Sequence, residues 1–128
     1  MAFGDVGGPV TELIVTCRTP ASGTIAIAKG DALRLSGAYE VTNATAAEDV
    51  IFGQAMAASG ANSAAIPVKV RGVAVFRYTG TAPTVNGVQG VLASATDGSV
   101  KAPAAGNGVG INLRVDAAAT EVHVLLET

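Results

Sequence analysis

The sequence predicts an all-β fold: a single small β-sandwich or β-barrel domain, with at most one short helix and a flexible N-terminal arm. Three observations predict it. Apolar and polar residues alternate over several short segments, with turn signals about every eight to twelve residues. Apolar residues make up 49% of the chain, yet aromatics only 4%, with no Trp. The apolar content is therefore mostly Ala and Val, which fill thin, closely packed layers rather than a deep aromatic pocket. Finally, 128 residues fit one domain, and a chain of that size buries roughly two-thirds of its unfolded surface.

Residues 1–10 contain Gly4, Gly7, Gly8 and Pro9. They read as an arm that is flexible or ordered by a partner, ahead of one β domain over residues 11–128. From Thr11 the pattern becomes strand-like: Leu13, Val15 and Cys17 alternate with Ile14, Thr16 and Arg18. Pro20 to Gly23 is a turn. Thr24–Ala28 reads as a short strand, and Lys29-Gly30-Asp31 as a tight turn into a strand at Ala32–Leu35. Tyr39–Thr42 is another short strand. For Asn43–Asp49 two readings stand: a short helix capped by Asn43 or Thr45, with Glu48 near its third position, or a polar loop.

Val50–Ala55 is read as a strand with Gly53 inside it, and residues 56–65 as a flexible loop of small residues. Ile66–Tyr78 is one long strand with Gly72 at its centre. Thr79–Gly87 is a turn region. Val88–Ala95 and Ser99–Ala102 form a hairpin through Asp97-Gly98. Pro103–Gly108 is a loop, and Val109–Val115 and Thr120–Leu126 are the closing strands.

Composition narrows the function. Charged residues are 14% of the chain and the net charge is −2. With no basic block and no aromatic stacking pattern, this argues against nucleic-acid binding. A weakly charged, apolar-rich chain favours association over a free monomer. Two nineteen-residue stretches, Val50–Val68 and Tyr78–Thr96, carry no charge. Gly, Pro, Asn, Ser or Gln interrupt both, so neither reads as a membrane span. The first residues show no secretory signal, and a single cysteine, Cys17, excludes an internal disulfide. Together these favour synthesis and function without export.

No catalytic or metal constellation emerges. A pair of Cys17 and His123 would need the two terminal strands to be neighbours; otherwise Cys17 is a core residue and His123 faces outward. One His, one Cys and scattered carboxylates make no metal-ligand cluster. Glu48-Asp49 is the only adjacent acidic pair, and neighbouring strand side chains point apart. Gly106-Asn107-Gly108-Val109-Gly110 resembles a phosphate cradle, but a strand-like segment follows it where a cradle requires a helix. The glycines read as turn residues. Asn43-Ala44-Thr45 matches the glycosylation acceptor pattern; without an export signal it reads as a chance match. No enzyme, cofactor or metal is expected.

On the long strand, parity places Lys69, Arg71 and Arg77 on one face and Val70, Ala74, Phe76 and Tyr78 on the other. A bulge at Gly72 would shift that parity. The charged face is read either as a contact surface for a subunit or shell, or as an ordinary solvent face.

The order of several segments resembles the capsid cement, or head decoration, proteins of tailed bacteriophages. The segments are Lys29-Gly30-Asp31 with Leu33 and Leu35, Tyr39-Glu40-Val41-Thr42, and Asp49-Val50-Ile51-Phe52-Gly53-Gln54-Ala55. They continue with Ile66-Pro67-Val68-Lys69-Val70-Arg71-Gly72-Val73, then Asp97-Gly98 before Val100. The match covers roughly residues 24–102 and rests on order and spacing. Residues 103–128 lie beyond it. The resemblance implies a non-enzymatic structural protein on the outer surface of the virion, made in the bacterial host cytoplasm. It implies the major capsid protein as partner, with a homotrimer at least on the capsid, and no nucleic acid or membrane. It makes an arm over the capsid plausible, and Phe3, Val6 and Val10 are its candidate apolar anchors. Two alternatives remain: a receptor- or carbohydrate-binding β-module of a fibre or adhesin, and a small hydrolase using Cys17 or His123.

Overall fold

The computed structural model describes residues 12–85 and 89–127. The described residues form nine strands and no helix. These are β1 (Leu13–Arg18), β2 (Ala32–Gly37), β3 (Glu40–Thr42), β4 (Gly53–Ala55), β5 (Ala65–Arg77), β6 (Leu92–Ala93), β7 (Val100–Lys101), β8 (Ile111–Asp116) and β9 (Glu121–Glu127). Five of them, in the order β1-β3-β2-β4-β5, form a barrel that closes where β5 pairs with β1. β9 and β8 extend the sheet beyond β5, and β6 and β7 form a separate hairpin. Of the expected small β-sandwich or β-barrel, the barrel is what forms.

β5 joins the two halves. Its residues 65–71 pair with β1, and its residues 71–77 pair with β9. Its even-numbered side chains stay inside throughout. Ile66, Val68 and Val70 fill the barrel with Cys17, Leu33, Val41 and Ala55, so each barrel strand contributes to that core. Ala74, Phe76 and Tyr78 enter a second core with Val122, Val124 and Leu126 of β9 and with Val91, Ala93 and Val100. Burying each larger apolar side chain contributes about 1.5–3 kcal/mol, which is why the buried apolar side chains of β5 keep a period of two, while the odd-numbered Lys69 is buried as well.

Gly72 sits between the two cores. The irregularity lies just before it: Leu13 faces Arg71 and Ile14 faces Lys69, leaving Val70 as an extra residue. Pairing with β9 runs unbroken through Gly72, so the inside–outside parity does not shift. Gly72 has φ +113°, and a Cβ there would meet the Glu12 side chain at 2.9 Å. Only glycine suits both conditions.

Three local expectations are corrected. Thr24–Ala28 forms no strand; Ile27 makes an isolated bridge to Ser59, and the Ala28 amide turns to the Asp31 carboxylate instead. The strand expected at Val50–Ala55 shortens to Gly53–Ala55, and of the strand expected at Val88–Ala95 the described residues 89–95 form only Leu92–Ala93. Of the two readings of 43–49, the polar loop is the one formed. Its backbone groups bond across to β6: Glu48 donates to the Ala93 carbonyl, and Ala93 donates to that of Asp49. Those long-range bonds replace the i→i−4 ladder a helix requires.

The loop of small residues is anchored rather than loose. Thr19 is buried; its hydroxyl donates to the Ala61 carbonyl and accepts from the Ala64 amide. Asn62 donates to the carbonyls of Pro20 and Gly23. The β6–β7 hairpin forms through Asp97-Gly98 as its turn signal implies. The arm at residues 1–10, and the Asn86-Gly87 part of the turn region, lie outside the described residues.

Candidate functional site: a polar hub and an apolar groove

The expected charged face divides three ways. Lys69 is only 8% exposed. Its ammonium lies 3.1 Å from Glu12 Oε1 and donates to the Val73 carbonyl at 3.1 Å. Gln54, its cross-strand neighbour, donates to the Val75 carbonyl at 2.8 Å. Carbonyls two residues apart point to the same edge of a strand. The two long side chains thus satisfy backbone acceptors along β5, so Lys69 works within the fold. Arg71 is exposed. Arg77 turns away from both to join a buried carboxylate.

That carboxylate belongs to Asp31 and forms the centre of a polar hub. Its Oδ1 accepts from Arg77 Nη2 at 2.8 Å. Its Oδ2 accepts from the Ala28 amide and from Asn43 Nδ2, each at 2.9 Å. Asn43 also donates to the Ala26 carbonyl. Gly98 closes the hub: a Cβ there would lie 2.5 Å from the Asp31 carboxylate, and its φ is +76°. The Gly98 amide donates to the Asn43 carbonyl, and its own carbonyl accepts from Ala32. One aspartate therefore ties the turn before β2, the 43–49 loop, the end of β5 and the β6–β7 turn together. A buried carboxylate is stable when charged hydrogen bonds surround it, and here they do.

Sequence reasoning read Lys29-Gly30-Asp31 only as a turn and missed this role. The available signal was an acidic residue directly before the apolar run Ala32-Leu33. Asn43 of the glycosylation pattern is likewise engaged by its side-chain nitrogen inside the hub.

The other candidates separate. Cys17 faces Ile66 and is buried in the barrel, and burial pushes its thiol pKa up. His123 faces Val75 and Arg114 in the β5-β9-β8 sheet. Ile66 and Val75 are nine positions apart on β5, about 30 Å at strand spacing. The Cys17–His123 pair does not form. Among the described residues there is no group of His, Cys, Asp or Glu arranged to hold a metal ion, and no helix is long and apolar enough to cross a membrane.

Glu48 and Asp49 are engaged separately. Glu48 Oε1 accepts from the Ala104 amide at 2.6 Å and Oε2 lies 3.0 Å from Lys101 Nζ. The amide hydrogen bond, then Lys101, hold the Glu48 carboxyl below the ordinary glutamate range. Asp49 caps Ala46 and lies 3.5 Å from Arg34 Nε.

The glycine run at 106–110 forms a turn and a crossing. Gly106 and Gly110 have positive φ. At Gly108 a Cβ would lie 2.3 Å from the Val91 carbonyl oxygen, so glycine there lets two backbones meet.

An apolar groove of about 510 Å³ lies between the barrel and the start of β8. Leu35, Val50, Ile51 and Phe52 wall it on the barrel side, and Val109 and Gly110 on the other. The Arg34–Asp49 pair stands at its rim. Val50 is 68% exposed and Leu35 49%. Compared with known proteins, the chain matches no family model and no curated sequence.

Proposed function

We propose that the chain is a structural cement protein that binds the outside of an assembled phage head and ties major capsid subunits together. The observation that carries this reading is the surface. Tyr39 is 71% exposed, and Val50, Leu35, Ile14 and Leu13 are all prominently exposed, on a chain with 14% charged residues. Large apolar side chains left exposed on a weakly charged chain favour a covering partner. The order of segments that resembles the cement family supports the same reading. Those segments supply β2, β3, β4 and most of β5, together with the Asp31–Gly98 hub.

The mechanism is mass action. A protein that binds the assembled lattice and not its separated subunits stabilises assembly by its binding free energy. A trimer that touches several subunits gains further, because later contacts are effectively intramolecular. An arm bearing Phe3, Val6 and Val10 would add contacts at an ordering cost; those three residues lie outside the described part of the chain. Lys69 is not part of this proposal, since its ammonium is held by Glu12 and Val73. Arg71 remains a candidate contact. Electron microscopy of undecorated heads after incubation with the protein tests the reading. Added density at fixed lattice positions supports it, and bare heads oppose it.

A sugar-binding module is the second reading, favoured by one observation: Tyr39 stands almost clear of the surface, as a stacking platform requires. Specific retention on a glycan array, lost in Tyr39→Ala, would support it.

A further inference from the structure

We propose that two copies of the free protein pair antiparallel through the open edge of β8, about a two-fold axis at Val115. β8 ends the seven-stranded sheet, and among the described residues no strand pairs with its outer edge. Unpaired amides and carbonyls along such an edge are a template for another strand.

The bonding pattern fixes which groups that edge offers. The carbonyls of Val73 and Val75 accept from Lys69 and Gln54, so these two residues face away from β9. β5 therefore bonds β9 through Ala74 and Phe76, which stand opposite Val124 and Val122. Bonding direction alternates along an antiparallel strand. Glu121 and His123 thus turn to β8, where they face Asp116 and Arg114. Val115, between those two, directs its amide and carbonyl to the open edge. The bulge lies earlier, between Asn112 and Arg114, and leaves residues 114–116 in regular register.

Charge points to a second copy as the partner. In an antiparallel pair centred on Val115, Arg114 of each copy stands opposite Asp116 of the other. That reciprocity is the isologous geometry of a two-fold dimer. Centring the pair on Arg114 or on Asp116 instead would set like charges opposite each other. Within one copy the Arg114 guanidinium is loosely held: it lies 4.0 Å from Asp116 Oδ2, and its side chain is 63% exposed. Asp116 is held in place, because its Oδ1 accepts from the Ala118 and Ala119 amides. One step further along, exposed Leu113 of each copy meets exposed Ala117 of the other. Asn112 is committed to the Thr84 and Gly90 carbonyls, so the pairing stops there.

The inference is independent of the cement reading, because its test uses the free protein without heads. Sedimentation velocity from micromolar to millimolar concentration should show a monomer–dimer equilibrium. Arg114→Asp should weaken the dimer about tenfold, because two opposite-charge pairs become two like-charge pairs, while circular dichroism stays unchanged. Oxidising a mixture of Arg114→Cys and Asp116→Cys chains should cross-link them across the axis, and neither variant alone should cross-link. Cys17 is buried and does not compete. Native protein that stays monomeric throughout overturns the proposal. So does a dimer that Arg114→Asp leaves intact, or a cysteine mixture that links no better than either variant alone.

Discussion

Asp31 and Arg77, forty-six positions apart, meet in an ion pair of 2.8 Å. The aspartate is buried and the arginine largely exposed, so the two contribute unequally. Asp31→Ala leaves the Ala28 amide without its acceptor and Asn43 with only the Ala26 carbonyl. It should cost about 2–4 kcal/mol, as breaking a buried charged network does. Arg77→Ala keeps the other two hydrogen bonds and should cost about 1 kcal/mol, near the value for a half-exposed pair. Urea unfolding of both variants checks the ordering.

Gly98 should resist substitution more than Gly106. Both have positive φ, but only Gly98 has a neighbour, the Asp31 carboxylate, where a Cβ would go. Gly106→Ala should cost about 1 kcal/mol from backbone conformation alone. Gly98→Ala adds a clash with the hub and should cost clearly more, about 2–4 kcal/mol. Thermal melts of the two variants make the comparison.

The strand pattern was legible because apolar burial on β5 follows period two from Ile66 to Tyr78, and side-chain order alone reports that. The Asp97-Gly98 turn was legible from its own chemistry. Barrel closure was not: the β1–β5 pairing joins residues about fifty positions apart, and no local signal records such a partner. The false strand at Thr24–Ala28 has suitable residues, but its amides answer to Asp31 and Ser59. Asp31 itself looked like any turn aspartate, since its partners Asn43, Arg77 and Gly98 converge only after folding. The groove was equally hidden, because Leu35, Val50 and Val109 come from separate segments.

Glu48 gives the protein an acid-sensitive contact. Its folded-state pKa is depressed, first by the Ala104 amide and then by Lys101. A depressed carboxylate stabilises the fold above its unfolded value, and that stabilisation is lost as pH falls through the folded value. The stability difference between the native protein and Glu48→Gln should be present at neutral pH. It should narrow progressively as pH drops below the ordinary glutamate range. Chemical denaturation across a pH series measures it.

Cys17 should be inert in the folded protein. The thiolate is the reactive form, and burial raises this thiol's pKa. A thiol-specific chromogenic reagent should react slowly with the native chain and completely once urea unfolds it. Fast labelling of native protein would mean the barrel opens at β1.

The central claim is that this chain binds an assembled capsid lattice. Co-sedimentation with undecorated, expanded phage heads tests this proposal most directly. The account predicts that the protein pellets with the heads in a saturable ratio and stays in solution with unassembled capsid subunits. Protein left in the supernatant above intact, unoccupied heads would contradict it.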